Sequence, residues 1–343
     1  MDSKAILSHI DDDALVLLAQ EMVRIPSQNG QERVFGEWLA ERLAGMGLAV
    51  RVRDVDQGRL NVLAELPGCV EGPAGLLFHS HMDTIPVLGM PDAHSGRLVD
   101  GAIWGRGAVD QKGGLAAAIA AIGALAQSRH ALRKGIALAA VIDEESEHRG
   151  SYALVEDRVQ AEAAIVTEPS DLQLMVGHKG TVPARITLRG RQAHGSTPWL
   201  GINAIDHAAR VVAALSGLEP RTVDVPGVGR VRGTVNVGLI QGGTAYNNVP
   251  DRCVIWIDRR TVPGESQASV LAEIQQILDG LAAADPGLQG SVEIDRPDWK
   301  WPLIRLRGLN PSATLGDVPL THALRQAHHQ VTGSLPEKAY HNG

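Results

Sequence analysis

Leu76-Leu77-Phe78-His79-Ser80-His81-Met82-Asp83 carries an apolar, strand-like run straight into a histidine and an aspartate two residues apart. Two more apolar runs end in the same manner: 136–142 leads into Asp143-Glu144-Glu145, and 163–166 leads to Glu168. Open α/β sheets bind ligands at the carboxyl ends of their buried strands. Between the first two runs, Trp104-Gly105-Arg106-Gly107-Ala108-Val109-Asp110 adds another carboxylate just before a helix-like stretch. The economical reading is one metal site, assembled where several strands end.

Working outward, helix and strand alternate. Asp11-Asp12-Asp13 puts negative charge at the start of a helix with Leu15, Leu18 and Met22 on one face, ended by Pro26. Val34, Trp38, Leu39 and Leu43 mark a second helix that stops near Gly47. Strands are predicted at 49–55, 60–66 and 75–80, and a buried, alanine-rich helix at 115–126. Helices interleaved with apolar strands predict an α/β fold with a mostly parallel, doubly covered sheet.

The texture changes after Gly180. The stretch 181–188 alternates as a strand, and 201–215 reads as a helix with Ile202, Ile205, Ala209 and Val212 at helical spacing. Strands at 231–239 and 253–258 and a helix at 267–281 follow. Two helices against a few alternating strands make an α+β unit. Pro297-Asp298-Trp299-Lys300-Trp301-Pro302 and an irregular segment then precede a helix at 320–332. The expected organisation is a first catalytic part at 1–179, an inserted α+β domain at 180–296, and a second, incomplete catalytic part at 297–343.

Composition narrows the partners. A chain of 343 residues, 44% hydrophobic and 21% charged, is globular and long enough for one large domain or two. A net charge of −7 with no basic run argues against nucleic acid and anionic membranes. A small solute is the expected partner. Cys69 and Cys253 are far apart and read as reduced, buried thiols. With neither a signal-peptide pattern nor a membrane-length apolar run, a soluble, cytoplasmic protein is expected.

The chemistry follows residue by residue. If the strand continues through His81 and Asp83, both side chains share a face, and an aspartate there can orient a histidine ligand. By itself, His-x-Asp is equally an ordinary strand-end turn. Asp110, followed by Gln111-Lys112-Gly113-Gly114, is either a helix cap or a carboxylate placed to bridge two cations. Asp143-Glu144-Glu145 repel one another at the end of an apolar strand unless a cation is present or the turn is solvated. Adjacent glutamates also divide labour, one on a metal and the other free to take a proton from water. Glu168-Pro169 closes its strand in the same way.

Together these residues resemble a known family. His79-Ser80-His81-Met82-Asp83-Thr84-Ile85-Pro86, the 104–114 segment, Asp143-Glu144-Glu145 and Thr167-Glu168-Pro169 are similar, in order and spacing, to the dizinc family of acetylornithine deacetylase, succinyl-diaminopimelate desuccinylase, aminoacylase and glutamate carboxypeptidase. The inserted unit resembles that family's lid or dimerisation domain through Gln192-Ala193-His194-Gly195-Ser196-Thr197-Pro198, Gly201-Ile202-Asn203-Ala204-Ile205, Asn247-Asn248-Val249-Pro250 and Asp258-Arg259-Arg260. The resemblance implies that Asp110 bridges two zinc ions, with cobalt as a possible substitute. His81 and Glu168 complete one metal, Glu145 serves the other, Glu144 is the general base and Asp83 orients His81. It further implies that His194 reaches into the site of a second subunit and that Asn247 and Arg260 bind substrate.

The resemblance implies a homodimeric zinc hydrolase of N-acyl amino acids, or a dipeptidase or carboxypeptidase with the same chemistry. In the family the second zinc also takes a histidine near the C-terminus, and this chain ends at Ala339-Tyr340-His341-Asn342-Gly343 before such a segment. The expectation from sequence is at most about one tightly held zinc per chain and low activity, unless His148, His178 or His341 substitutes. A non-catalytic dimeric binding protein is the remaining alternative.

Overall fold

The computed structural model describes residues 3–295, 312–313 and 318–341. The segment from Pro297 to Pro302 lies outside them. The chain forms two compact units, 1–171 and 172–343.

The first unit opens with a short helix α1 (Ser3–Leu7), then α2 (Asp12–Arg24) and α3 (Arg33–Gly45). The Asp11 carboxylate accepts the Ala14 N–H at 3.0 Å and so caps α2. Leu18, Met22, Phe35, Leu39 and Leu43 from these two helices enter the main core, whereas Val34 is 64% exposed. Expected on the inner face of the second helix, Val34 yields that place to its neighbour Phe35. Strands β1 (Ala49–Asp56), β2 (Arg59–Leu66), β3 (Leu76–His81), a small hairpin β4 (Arg97–Val99) and β5 (Ala102–Trp104), helix α4 (Gly114–Ser128), β6 (Ile136–Val141), α5 (Arg149–Glu156) and β7 (Ala164–Val166) complete the unit.

Five strands make one sheet in the order β1-β2-β6-β3-β7. The pairs β6/β3 and β3/β7 are parallel, while β1/β2 and β2/β6 are antiparallel. The sheet is therefore mixed, and parallel where the metal-type residues lie. Its antiparallel side comes from a tight hairpin: Gln57 and Gly58 both have positive φ (51° and 87°), and the Asp54 carboxylate accepts the Gly58 N–H at 2.9 Å. Alternate residues of β6 face opposite cores, Leu138 and Ala140 toward α2, α3 and α4, and Ala137, Ala139 and Val141 toward Leu154 of α5. This two-sided burial is why β6 reads as a continuous apolar run.

The second unit contains β8 (Leu174–His178), β9 (Gly180–Arg189), β10 (Ala193–His194), α6 (Ala204–Ser216), β11 (Thr222–Val225), β12 (Gly229–Arg232), β13 (Thr234–Gly242), β14 (Asn248–Val249), β15 (Arg252–Thr261), α7 (Gln267–Ala284), β16 (Gln289–Ile294), β17 (Ser312–Ala313), α8 (Pro319–Thr332) and β18 (Lys338–His341). An antiparallel sheet in the order β13-β15-β9-β16 packs against α6 and α7 through one core. The expected strand at 231–239 is two strands interrupted at Gly233. Helix α6 starts at Ala204, where the Asn203 carbonyl oxygen accepts the Ile205 N–H at 2.9 Å. Its buried face is Ala204, His207, Ala208, Val211 and Leu215, not Ile205, Ala209 and Val212. Ile205 is 40% exposed, and His207 takes an inward position, with Asp285 Oδ2 3.3 Å from its Nε2. Cys253 is buried as expected, but Cys69 is exposed. No described helix is long and apolar enough to cross a membrane.

Candidate metal centre

From β3 the chain reaches β6 on one side and, later, β7 on the other. Such a switch point opens a crevice at the strands' carboxyl ends. His81, the last residue of β3, is buried there. Its Nδ1 donates to the Asp83 backbone carbonyl at 2.8 Å, which leaves Nε2 facing a group of acids. Nε2 lies 2.9 Å from Asp110 Oδ1, 3.6 Å from Glu168 Oε1 and 3.9 Å from Glu144 Oε2. Two sets of donor atoms result, His81 with Glu144 and Glu168, and His81 with Asp110 and Glu145, each lying within 4.8 Å of one another.

The electrostatics of this cluster call for a cation. Burial works against charging His81, yet the hydrogen bond to Asp110 and the Asp83 and Glu168 carboxylates outweigh it and push its pKa up to about 11. Burial pushes Glu144 and Glu168 up to about 7, with neighbouring carboxylates adding to the shift. Burial also raises Glu145, followed by the Asp110 charge. One imidazole and four carboxylates form an N/O donor set suited to zinc and other divalent first-row ions.

Local structure explains how these groups are held. Asp110 is not the cap of α4, which starts after Gly113 without a side-chain cap; its half-exposed carboxylate turns to His81 instead. Strand β3 ends at His81, so Asp83 does not share a strand face with it, and the Asp83 carboxylate stays 3.6 Å from Nδ1. Instead Asp83 Oδ1 and Oδ2 accept the backbone N–H groups of Glu144 and Glu145, each at 3.0 Å. Burial works against the charged form of Asp83, but the neighbouring His81 first, then the Asn29 amide and the Glu144 N–H, hold its pKa down. Gln111 donates to Glu168 Oε1 and accepts from Thr167 Oγ1 at 2.5 Å. Lys112 anchors the same turn from beneath, donating to the Met22 and Ile25 carbonyls at 3.0 and 2.7 Å, with its Nζ 4.6 Å from the Phe35 ring centre. Burial lowers that ammonium to about 7.

Asn29, Arg59 and Gln111 were not singled out from sequence. Asn29 and Arg59 sit in stretches without a metal-type motif, and only the Gln111-Lys112-Gly113-Gly114 string lay beside one. His148, named as a possible substitute ligand, places Nδ1 3.7 Å from Glu144 Oε1. His178 lies in the second unit, with its Nδ1 bonded to the Lys179 carbonyl at 3.0 Å. The side chain of His341 lies outside the described residues.

In the second unit, His194 of β10 pairs with Asn248 of β14, and the Gly195 N–H donates to the Asn247 carbonyl at 2.7 Å. Both His194 and Asn247 are exposed at that corner. Arg260 is the penultimate residue of β15, bonded to Asp258 Oδ2 at 3.0 Å, and so lies at the opposite end of the strand that follows Asn247.

Comparison with known proteins agrees with this arrangement. The family model described as peptidase family M28 matches residues 61–176, and the M20 peptidase dimerisation domain matches residues 176–286. A succinyl-diaminopimelate desuccinylase from Shewanella loihica is 33% identical over 292 residues, covering 78% of this chain and 74% of that protein. The chain belongs to the M20 metallopeptidase family. M20 members are metal-dependent amidohydrolases and peptidases, and so is this protein. A solved tripeptidase from Staphylococcus aureus has the same fold, with a TM-score of 0.77 at 20% identity, covering 97% of this chain and 85% of that one. A Bacillus subtilis M20 protein described as a dinuclear metal-binding peptidase has a TM-score of 0.69 at 16% identity, covering 96% and 83%.

Proposed function

We propose that this M20 protein hydrolyses the amide bond of an N-acyl amino acid, with His81, Asp110, Glu145 and Glu168 holding zinc and Glu144 acting as general base. The observation that carries the reading is the convergence of five donors on one crevice, two of them adjacent glutamates presented by a single turn. Zinc held there supplies Lewis-acid polarisation of a carbonyl and lowers the pKa of nearby water. Glu144, with a pKa of about 7 set first by burial, is suited to take a proton from water near neutrality and return it to the leaving amine. Asp83 fixes His81 through its carbonyl and the Glu144-Glu145 turn through its carboxylate. Similarity to the Shewanella desuccinylase favours an acyl amide over a peptide.

The same reading makes the protein a homodimer, in which His194 of one subunit serves the site of the other and Asn247 and Arg260 contact substrate. The organisation proposed with it has a catalytic domain from 1–179 and 297–343 around an inserted domain at 180–296. The deciding experiment is amine release from N-acetyl and N-succinyl amino acids and from dipeptides, with zinc- and cobalt-loaded protein. Turnover of acyl amino acids is expected. Cleavage of dipeptides alone would replace the reading with a dipeptidase of the same chemistry.

A further inference from the structure

Behind the acidic turn lies a second layer of buried charge that the proposed chemistry does not use. Asp143, the residue before Glu144, is buried and has φ 67°, which turns the chain so that the next two N–H groups face Asp83. Its Oδ1 accepts from Arg59 at 2.8 Å and from Asn29 Nδ2 at 3.1 Å, while Arg149 approaches Oδ2 at 3.4 Å. Arg59 also grips Glu32, which is fully buried, through Nε at 2.8 Å and a terminal nitrogen at 2.5 Å. Arg59 is thus shared between two buried carboxylates.

Asn29 supplies the remaining link. The same amide nitrogen that donates to Asp143 donates to Asp83 Oδ2 at 2.9 Å. An amide NH₂ carries two hydrogens, one for each carboxylate, and adds no charge. The Asn29 backbone is fixed as well, its N–H donating to the Thr84 carbonyl at 3.0 Å. Asp83 and Asp143 flank the Glu144-Glu145 turn, one receiving its N–H groups and the other leading into it. Without a neutral donor between them, two buried carboxylates repel.

We propose that Asn29 and Arg59 are positioning residues that lock the Glu144-Glu145 turn in its metal-binding shape, Asn29 by bridging Asp83 and Asp143 and Arg59 by neutralising Asp143. The inference rests on the assignment of Glu144 and Glu145 given above. Asn29→Ala removes the bridge, and Asn29→Asp inserts a third carboxylate against Asp83. Arg59→Lys keeps a charge but loses the fork that spans two acids.

The test is competition titration of Zn²⁺ against a chromophoric chelator, with the melting temperature of the zinc-free protein and, separately, kcat and KM for an N-acyl amino acid. Losing an outer partner of a metal ligand typically weakens binding about 10–100-fold. Asn29→Ala and Arg59→Lys should fall within that range, with kcat reduced and KM little changed. Asn29→Asp, which sets a carboxylate oxygen against Asp83 Oδ2, should bind more weakly still. A purely structural role would lower the melting temperature without separating Asn29→Asp from Asn29→Ala in zinc affinity. Zinc affinity of Asn29→Ala within about twofold of the parent, while Glu145→Gln loses zinc, would overturn the proposal; twofold lies far below the range for outer partners. If Glu145→Gln also kept parental zinc affinity, the metal assignment itself would fall, and this inference with it.

Discussion

Glu144 and Glu145 are neighbours in sequence, yet each belongs to a different donor group around His81. Glu144→Gln keeps the size and one oxygen but cannot take a proton, so kcat should fall by about 10²–10⁴-fold with zinc content nearly unchanged. Glu145→Gln should lose zinc instead. Elemental analysis beside single-substrate kinetics checks both, and equal zinc with equal residual activity in the two variants would refute the division of roles. His81, Asp110, Glu144, Glu145 and Glu168 were legible in the sequence because each follows an apolar strand or a glycine-punctuated turn. Asn29 and Arg59 were not, because nothing local marks them. Asn29 meets Asp143 across 114 positions and Arg59 meets it across 84. Asp83 was half legible: its position was noticed, but its carboxylate serves the acidic turn and its carbonyl serves the histidine.

At the scale of elements, polar groups correct what apolar spacing suggests. The inward row of β15 is Cys253, Ile255 and Ile257, and it continues with Arg259, which is fully buried. The guanidinium donates to Glu265 at 2.5 Å and Glu273 at 3.2 Å, tying the strand's end to the start of α7. Arg259→Ala would leave the nearly buried Glu265 without its cation, and breaking a buried pair from one side costs about 3–5 kcal/mol. Denaturant unfolding should show that loss, and a change below about 1 kcal/mol, the scale of an exposed pair, would mean that Arg259 is replaceable. Asn203→Ala, which removes the α6 cap, should cost only about 1 kcal/mol in the same assay. Helix α6 also shows why its face was misread. Ile205 and Val212 are apolar at helical spacing, but the buried row is Ala204, His207, Ala208, Val211 and Leu215, with His207 beside Asp285. In the first unit the alternation of helices with strands disclosed the parallel half of the sheet. The two-residue turn at Gln57-Gly58 sets the β1/β2 pair antiparallel, and the alternating charges of β1 fit a strand with one solvated face.

For the whole molecule, the proposed function calls for a dimer, because the substrate residues it names are spread along one strand. Asn247 precedes β15, beside His194 in the β10/β14 pair, and Arg260 stands at the far end of that ten-residue strand. At the usual rise a strand of this length spans about 30 Å, too far for both ends to touch one small substrate. In the proposed two-fold dimer, His194 would come from one copy and Arg260 from the other. A His194→Ala chain and a Glu144→Gln chain, each inactive alone, should therefore complement when mixed. In a heterodimer, one site combines Glu144 of the first chain with His194 of the second, while the other site has neither. Two-fold symmetry then predicts about half the parental activity per purified heterodimer. Differentially tagged chains, refolded together and isolated by tandem affinity, make the measurement direct. Absence of recovery in such heterodimers would place His194 within its own subunit's site or outside catalysis, and would remove the cross-subunit part of the proposed function while leaving the metal centre untouched.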